Sequence, residues 1–370
     1  MRILIVGGGI GGMAAAIRLA QGGNGVDLID VDPEWRVYGA GITITGPTLR
    51  AYQRLGLLDD IKREGAVTSG TRLYRFDGTF LQDLDEPALE EGLPATGGIM
   101  RPVLHRLMQK HVASVGIEPR LGLTVDRIEQ DDAGVDVVFS DGAPGRYDLV
   151  VGADGIGSKV RGLTFPDAVA PMATGQACWR VSMRRAPGLD RNEFYMGHDC
   201  PVGITACGPD AMYLWMLTPH EPGTWFDEAD GHDRLREKIA DFGGTVGWVR
   251  DTMSASDWVN YRPLSAMIQP EPWATGRVVL LGDAVHATTP HLASGAGMAV
   301  EDALVLAEEL DAAGSSVEAG LLAYSRRRYP RCRDVVDNSV AIGRLQLDGR
   351  PPPELGQKLA ASLHALAEEY

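Results

Sequence analysis

Residues 1–31 of the chain, MRILIVGGGIGGMAAAIRLAQGGNGVDLIDV, decide the fold. The continuous apolar run at residues 3–6 predicts a central parallel strand that is buried on both faces. A run of strong helix formers starts at Met13, and the glycine pair at residues 22–23 ends it. A second strand is predicted over residues 26–31. This order is a βαβ unit, and it predicts a doubly wound α/β sheet with a right-handed crossover.

The glycines between the first strand and the helix have the spacing of a dinucleotide-binding fingerprint. Gly7 would make the turn, Gly9 would let the backbone approach a pyrophosphate, and Gly12 would let the helix pack on the strand. The phosphates would lie at the N-terminus of the helix, where unpaired N–H groups favour anions. Asp30 lies at the end of the second predicted strand, where it can accept hydrogen bonds from an adenosine ribose. A bound dinucleotide is therefore predicted, but the fingerprint alone does not separate FAD from NAD.

Composition and charge exclude several classes of protein. The 370 residues include 50 acidic and 35 basic side chains, and the formal net charge of -15 argues against a nucleic-acid partner. The four cysteines form no Cys-x-x-Cys pair, and such usage is typical of a reducing compartment. No apolar run approaches the roughly 18 residues that a membrane span needs. We therefore expect a cytoplasmic protein with neither a membrane nor a nucleic-acid partner.

The pattern of the sequence changes in the middle of the chain. Short strand-like runs separated by Gly, Pro and Asp turns predict an antiparallel sheet, and the helix-and-strand pattern resumes after Trp273. The predicted cofactor domain is therefore discontinuous and comprises residues 1–70, 101–165 and 266–345. The predicted substrate domain comprises residues 71–100 and 166–265, and residues 346–370 form a tail with a short amphipathic helix on which Leu359, Leu363 and Leu366 share one face.

Two later segments separate FAD from NAD. They are YDLVVGADGIGSKVR at residues 147–161 and RVVLLGDAVH at residues 277–286. Both closely resemble the paired Asp-Gly and Gly-Asp signatures of the class A flavoprotein monooxygenases, the para-hydroxybenzoate-hydroxylase-like family. The resemblance covers nearly the whole chain. It implies a Rossmann-like FAD-binding domain with an inserted antiparallel β-sheet substrate domain.

The resemblance also implies which residues contact FAD. Asp283 matches the aspartate that bonds the ribityl chain, Asp154 lies in a segment linked with both FAD and the nicotinamide cofactor, and Arg101 matches an arginine that contacts FAD. The family segment that runs under the flavin ring corresponds here to Pro290, Gly295, Ala296, Gly297 and Met298. A helix that starts near Met298 would aim its positive end at the pyrimidine edge of the flavin. Outside these contexts the aspartates would be helix caps or turn residues, and Arg101 a solvated helix arginine.

The sequence departs from the family pattern at two places. The usual Gly-Gln-Gly is replaced by SGAG at residues 294–297. Val31 occupies the position after Asp30, where the family often has a basic residue. These departures leave the detailed cofactor contacts and the substrate open.

The resemblance implies a hydroxylase that consumes NADH or NADPH. In such enzymes reduced FAD reacts with O2 to a C4a-hydroperoxide, whose distal oxygen is delivered to an electron-rich aromatic carbon, while the protein supplies orientation and excludes water. The expected partners are O2 and a small hydroxylated aromatic or heteroaromatic substrate, bound by a monomer or a homodimer. The Pro-His pair at residues 290–291, with Met-Ala after the glycines at residues 298–299, resembles the subset that hydroxylates hydroxypyridines and similar monocyclic acids. No metal is expected, because the eight histidines form no His-Glu-x-x-His cluster.

The substrate must lose a phenolic or hydroxypyridine proton, so a base near its ring is expected. His291 is the candidate, since imidazole titrates near neutral pH, although it could equally be a loop histidine bonded to the backbone. Strand alternation places Tyr213 and Trp215 on one face, where they would contact substrate or serve in ordinary sheet packing. Arg180 and His198 are further candidates for polar substrate contacts, with structural roles as the alternative.

Two other functions remain open for a flavoprotein with these motifs. One is a flavin oxidoreductase that inserts no oxygen, and the other is a redox-sensing flavoprotein that acts by binding a partner. Coupling of NAD(P)H oxidation to a product that has gained one oxygen distinguishes hydroxylation from both.

Overall fold

The computed structural model of the protein describes residues 1–37, 39–197, 200–349 and 352–370. The strands are β1 (Arg2–Val6), β2 (Gly25–Asp30), β3 (Gly41–Thr45), β4 (Ala66–Thr68), β5 (Gly70–Arg75), β6 (Phe80–Asp85), β7 (Thr96–Met100), β8 (Arg120–Leu121), β9 (Val125–Asp131), β10 (Gly134–Phe139), β11 (Pro144–Tyr147), β12 (Leu149–Gly152), β13 (Met172–Arg184), β14 (Asn192–Met196), β15 (Val202–Ala206), β16 (Ala211–Pro219), β17 (Val259–Ala266), β18 (Ala274–Thr275) and β19 (Val278–Leu280).

The helices are α1 (Ile10–Gln21), α2 (Gly46–Leu55), α3 (Leu58–Glu64), α4 (Arg101–Ser114), α5 (Lys159–Thr164), α6 (Gly231–Lys238), α7 (Gly244–Thr252), α8 (Asp283–His286), α9 (Gly295–Ala313), α10 (Val317–Leu347) and α11 (Pro352–Ala367). Two short 3-10 turns cover Glu228–Asp230 and Pro290–Leu292. Within the described ranges no helix is long and apolar enough to cross a membrane.

The predicted βαβ unit at the start of the chain is confirmed. Strand β1 pairs in parallel with β2 on one side and with β12 on the other, in a six-stranded sheet of order β18-β19-β12-β1-β2-β8. Ile3, Leu4 and Ile5 have no exposed surface, as expected for a central strand of a parallel sheet. Helix α1 leaves β1 through the glycine turn and packs against α9 and α4. The glycine turn therefore lies between the carboxyl end of β1 and the N-terminus of α1, beside the candidate site.

The predicted β-sheet domain is a seven-stranded sheet of order β17-β13-β16-β15-β14-β5-β6. Its neighbouring strands run antiparallel except β14 and β5, which pair in parallel.

One predicted domain boundary differs from the structure. Residues 96–100 were expected in the substrate domain, but they form β7, which pairs with β3 and β4 in a separate three-stranded sheet. The reason is that β7 leads directly into α4, which packs beside α1 in the cofactor domain.

The two faces of the seven-stranded sheet have different neighbours. Met212, Leu214 and Met216 of β16 are buried in a hydrophobic core that also contains residues of α6 and α7. Tyr213 and Trp215 lie on the opposite face with Ala40, Cys207 and Met100. The alternation predicted for β16 is present, and the second face of the sheet is turned toward the cofactor domain.

The C-terminal helices close the cofactor domain. Helix α10 has 31 residues and packs along α9, and α11 packs on α10 and α2. The predicted apolar face of the last helix is present only in part: Leu366 is 4% exposed, but Leu363 is 37% exposed. Ser362 is buried instead, and its hydroxyl donates to the carbonyl of Lys358, one turn earlier in the same helix.

We expect Gly12→Ala to destabilise the fold, because a Cβ at residue 12 would lie 1.8 Å from the Gly7 carbonyl oxygen. Relieving that overlap must move α1 away from β1, which we expect to lower the free energy of unfolding by about 1–3 kcal/mol. Urea denaturation measures the change. Gly162→Ala in α5 is the matched control, because a Cβ there would meet none of the described residues within 4 Å. Equal stability of the two variants would contradict the packing role of Gly12.

Candidate active site

The glycine turn forms a cradle at the N-terminus of α1. Gly7 has a φ of 108°, and a Cβ there would lie 2.3 Å from the carbonyl oxygen of Ala153, so only glycine fits. A Cβ at Gly9, by contrast, would meet no atom of the described chain within 4 Å. Gly9 is the N-cap of the 12-residue helix α1, whose first turn carries no acidic residue. The space beside Gly9 and the unpaired N–H groups of the helix fit the pyrophosphate of a dinucleotide.

Asp30 lies beside this turn, at the end of β2. Its carboxylate accepts hydrogen bonds from the backbone N–H of Gly8 at 2.6 Å and from that of Asp32 at 2.8 Å. These two bonds fix the orientation of the side chain next to the glycine cradle. The ribose contact predicted for Asp30 fits this position and stays a prediction.

Trp35 is a neighbour of the cradle that the sequence analysis missed. Its indole N–H donates to the Gly8 carbonyl at 2.9 Å, and its ring lies edge-on to His105 at 5.6 Å. The residue has a φ of 47°, which a non-glycine residue adopts only when its surroundings hold it there. The sequence does place this tryptophan a few residues after Asp30, but no spacing rule links such a residue to the cradle.

The Asp154 carboxylate is hydrogen-bonded to residues of its own loop. Its carboxylate accepts hydrogen bonds from the backbone N–H groups of Lys159 at 2.7 Å and Val160 at 3.1 Å, and from the Ser158 hydroxyl at 2.5 Å. This arrangement caps α5 and orders the loop beside Gly7, where the Asp154 Cα would lie 2.8 Å from an added Cβ. A direct contact of Asp154 with FAD stays a prediction.

Asp283 and Arg101 lie in the cleft at the starts of α8 and α4, and among the described residues neither side chain has a hydrogen bond or an ion pair. Asp283 is exposed to the cleft. Desolvation by the neighbouring protein atoms nevertheless raises the pKa of its carboxyl, although the positive charges of His286 and Arg101 oppose that rise. Desolvation and the positive charge of Arg180 lower the pKa of the Arg101 guanidinium. Two polar groups without a protein partner in one cleft fit a polar ligand such as the ribityl chain of FAD.

The segment predicted to run under the flavin forms a 3-10 turn at Pro290–Leu292, followed by Ala293 with a φ of 48°. Helix α9 begins at Gly295, not near Met298, so its N-terminus lies three residues earlier than predicted. Met298 is only 2% exposed and lies inside the helix, and its contact with the flavin ring stays a prediction. A Cβ at Gly297 would lie 2.2 Å from the Thr48 hydroxyl of α2, so this glycine serves helix packing. Gly295 and Ala296 remain in the first turn of α9.

His291 is held by both ring nitrogens. Nδ1 is 2.8 Å from the Thr289 hydroxyl, and Nε2 is 3.1 Å from the side-chain oxygen of Gln346 in α10. The amide oxygen can only accept, so Nε2 carries the proton and Nδ1 accepts from Thr289. Burial lowers the pKa of His291 to about 4. The ring is therefore neutral at physiological pH and a weak base, and its role as the base stays a prediction.

The substrate candidates on the sheet differ in their surroundings. The Tyr213 hydroxyl is 2.8 Å from the Thr43 hydroxyl, and the residue is 5% exposed, so it joins the sheet to β3 and leaves little surface for a ligand. Trp215 is half-buried beside Phe194, with ring centroids 5.9 Å apart. Arg180 is opposite Trp215 on β13 and, within the described part of the chain, has no ion pair or hydrogen bond. His198 lies outside the described residues.

A buried charge network supports the loop that carries Asp283. The Asp302 carboxylate of α9 accepts from the Gly282 N–H at 2.9 Å, contacts His286 Nε2 at 2.5 Å and accepts from Arg328 Nε at 2.8 Å. Burial opposes ionisation of Asp302, but the charges of His286 and Arg328 outweigh it and lower the pKa to about 2. The sequence signal was an acidic residue inside an apolar helical run, which must be paired when buried.

The same network includes the Cys332 thiol. His286, Asp302 and Cys332 have potential ligand atoms within 4.8 Å of one another, as a metal site would. However, the Arg328 guanidinium already supplies a positive charge there, 2.8 Å from Asp302 and 3.7 Å from the Cys332 sulfur. The cluster is therefore a structural ion network centred on an arginine.

The glycine cradle and the adjoining cleft fit a bound dinucleotide, which places the protein in the dinucleotide-binding class. The chain matches the family described as FAD binding domain over residues 1–339. It belongs to this family, and within it to the class A flavoprotein hydroxylases.

Individual relatives agree with this assignment. The chain is 34% identical over 354 residues to the Bacillus subtilis (strain 168) protein named "Putative FAD-dependent monooxygenase YetM", with 95% of each chain covered. It is 30% identical over 354 residues to a 2-heptyl-3-hydroxy-4(1H)-quinolone synthase of Pseudomonas aeruginosa (strain UCBPP-PA14), covering 93% of this chain and 89% of the relative. The crystal structure of Klebsiella pneumoniae HpxO complexed with FAD and uric acid has the same fold, with a TM-score of 0.86, 24% identity and coverage of 100% of this chain and 93% of that chain. The protein is thus an enzyme of a family of FAD-dependent monooxygenases with aromatic substrates.

We expect Asp283→Ala to weaken FAD binding about ten- to a hundredfold, because a hydrogen bond to a charged group contributes about 1.5–3 kcal/mol. Flavin absorbance of the purified protein, followed by titration of the FAD-free protein, measures the loss. Asp311→Ala, at an exposed position of α9, is the matched control. Full FAD occupancy in Asp283→Ala would remove this residue from the site.

The neutral state of His291 predicts a pH dependence of stability. The pKa is about 4 in the folded protein and about 6.5 in the unfolded chain. As the pH falls from about 6.5 to about 4, only the unfolded chain binds this proton, so the free energy of unfolding decreases. We expect His291→Gln to reduce that decrease by about 2–3 kcal/mol between pH 7.5 and pH 4.5. Urea denaturation at both pH values tests this, with His364→Gln at an exposed position as the control. An equal loss of unfolding free energy in the wild type and in both variants would contradict the prediction.

Proposed function

We propose that this enzyme is an NAD(P)H-consuming, FAD-dependent monooxygenase that hydroxylates a hydroxylated aromatic or heteroaromatic compound. One observation carries the proposal: Arg180, which has no partner among the described residues, and the half-buried Trp215 lie side by side on the sheet face that is turned toward Arg101 and Asp283. A cation and an aromatic surface above a flavin site suit a planar substrate that carries negative charge.

FAD supplies the redox chemistry when it is bound, by passing electrons from NAD(P)H to O2 and delivering one oxygen atom to the substrate. The residues of this chain bind and orient the reactants. The backbone N–H groups after Gly9 would bind the pyrophosphate, and Asp283 and Arg101 would bind the remainder of the cofactor. Helix α9 directs the positive end of its dipole from Gly295 toward the same region.

Activation of the substrate falls to Arg180 and His291. A guanidinium within reach of the ring hydroxyl favours its deprotonated form, which raises the electron density of the ring. His291 would take up the proton that the substrate releases. The pKa of about 4 makes His291 a weak base, so this role depends on the positive charge of Arg180 to acidify the substrate.

The names of the relatives agree with a heteroaromatic substrate. The quinolone synthase is named for a hydroxylated heteroaromatic ring, and the HpxO structure holds uric acid. These names support the reaction class. The ring substituents that this enzyme accepts depend on its own side chains.

The test is a screen of phenols, hydroxypyridines and hydroxyquinolones for stimulated oxidation of NADH and NADPH by the FAD-loaded protein. We expect at least one compound to raise the rate of oxidation and to yield a product that has gained one oxygen atom, detected by mass spectrometry. Arg180→Gln should abolish most of this stimulation and leave FAD content unchanged. Oxidation that forms only hydrogen peroxide with every compound would favour an oxidoreductase without oxygen insertion, or a redox sensor.

A further inference from the structure

A row of side chains crosses the sheet face that is turned toward the cofactor domain. Arg180 of β13 is opposite Trp215 of β16 on one side and opposite Asn260 of β17 on the other. Directly opposed residues share a face of the sheet, with Cβ atoms about 4.5–5.5 Å apart. The next opposed pair, Trp179 and Tyr261, lies on the other face, in the core on the helix side. Asn260 is therefore a neighbour of the arginine at the proposed substrate site.

The side-chain amide of Asn260 is buried and unpaired. The residue is 7% exposed, and neither its carbonyl oxygen nor its NH2 group has a hydrogen bond among the described residues. Neither atom belongs to the unpaired polar atoms that the described chain encloses completely, such as the Gln176 carbonyl oxygen, so both retain accessible surface. A buried amide with an unpaired donor and an unpaired acceptor is costly, and a ligand that pairs with both groups removes that cost.

Asn260 lies at an edge of the sheet that solvent reaches. Strand β17 is the last strand in the sheet order, and among the described strands it pairs only with β13. Arg262, two residues further along β17 and thus on the same face as Asn260, is exposed. Trp258, just before the strand begins, is 42% exposed. This end of the row is therefore accessible to a small molecule from solvent.

The Trp215 indole leaves the other two members of the row uncovered. A Cβ at Gly203 of β15, the residue opposite Trp215, would lie 2.1 Å from the indole ring. The ring also lies beside Phe194 of β14, with ring centroids 5.9 Å apart. Because β15 and β14 are on the side away from β13, the indole leans away from Arg180. A planar ligand can then contact the indole while its edge meets Arg180 and Asn260.

These two polar side chains suit different groups of a ligand. Arg180 has only donors and a permanent positive charge, so it suits an ionised ring oxygen. The Asn260 amide is neutral and presents a donor and an acceptor side by side, so it suits a ring edge that offers an acceptor and a donor in adjacent positions. The carbonyl and the ring N–H of a lactam form such an edge.

Building on the hydroxylase function proposed above, we propose that Asn260 determines which ring edge the site accepts, and that the preferred substrate is a hydroxylated N-heteroaromatic lactam. The ionised ring oxygen lies at Arg180. The lactam carbonyl beside it accepts from the Asn260 NH2 group, and the ring N–H donates to the Asn260 carbonyl oxygen. A simple phenol makes only the contact with Arg180 and leaves the buried amide unpaired.

The test compares 3-hydroxypyridin-2(1H)-one with its N-methyl derivative, which has the same ring oxygens but no N–H. Each dissociation constant is measured on the FAD-loaded protein without NAD(P)H, from the change in flavin absorbance and by calorimetry. We expect the wild type to bind the N–H compound about tenfold more tightly, because the derivative leaves the buried Asn260 oxygen without a donor. Equal affinities, or no binding of either compound, would overturn the proposal.

Asn260→Leu removes both hydrogen-bonding groups and keeps a branched side chain. We expect the preference for the N–H compound to disappear in this variant. A steric effect of the N-methyl group would persist there, so an unchanged preference would remove Asn260 from the site. Gln82→Leu, an amide-to-leucine change at an exposed position of β6 on the opposite edge of the sheet, is the matched control and should keep the full preference.

A second variant, Asn260→Asp, retains the acceptor and loses the donor. We expect it to keep the preference for the N–H compound, since a carboxylate still accepts from the ring N–H. It should bind both compounds more weakly than the wild type, because its negative charge attracts Arg180 away from the ring oxygen. Loss of the preference in Asn260→Asp would overturn the contact between Asn260 and the ring N–H.

These binding measurements need no turnover, so their outcome is distinct from that of the hydroxylation screen. A preference that depends on Asn260, without an oxygenated product from any compound, would retain this recognition site and contradict the hydroxylase function. Hydroxylation of phenols together with equal binding of the two pyridone probes would contradict the role of Asn260 and retain the hydroxylase function.

Discussion

A single buried carboxylate, Asp302, joins the segments on which the cofactor site depends. It accepts from the backbone N–H just before Asp283, pairs with His286 of α8 and bonds Arg328 of α10, with no exposed surface of its own. An ion buried in this way is strongly destabilising without its partners, so the three segments must fold together. The position of Asp283 in the cleft thus depends on three charged side chains that are themselves buried, Asp302, His286 and Arg328.

The second constraint is the sheet that faces this cleft. One face of β16 is anchored by Met212, Leu214 and Met216 in the core of the substrate domain, so the other face is free to present Trp215 beside Arg180. The contact between Tyr213 and Thr43 then holds this face against the cofactor domain. The proposed substrate surface is therefore held in place because both faces of β16 are packed.

The features that could be predicted from the sequence are local in the chain. Gly7, Gly9 and Gly12 fall within six residues, and their spacing alone predicts a turn that the structure contains. The remainder depends on contacts between distant residues. His291 forms a hydrogen bond with Gln346 of α10, and residue 297 must be glycine because Thr48 packs against it. The periodicity of the sequence predicts neither contact. The early start of α9 and the neutral state of His291 follow from such contacts, and local patterns could not predict them.

The like charges of Arg101 and Arg180 couple the binding of an anion to the stability of the fold. Without a bound anion these two guanidiniums oppose each other across the cleft, and the surrounding protein limits how much water can solvate Arg101. An anionic cofactor binds only the folded chain, so it shifts the equilibrium away from unfolded molecules. Molecules without the cofactor therefore unfold more readily, and the unfolded chain is the form that proteases cleave.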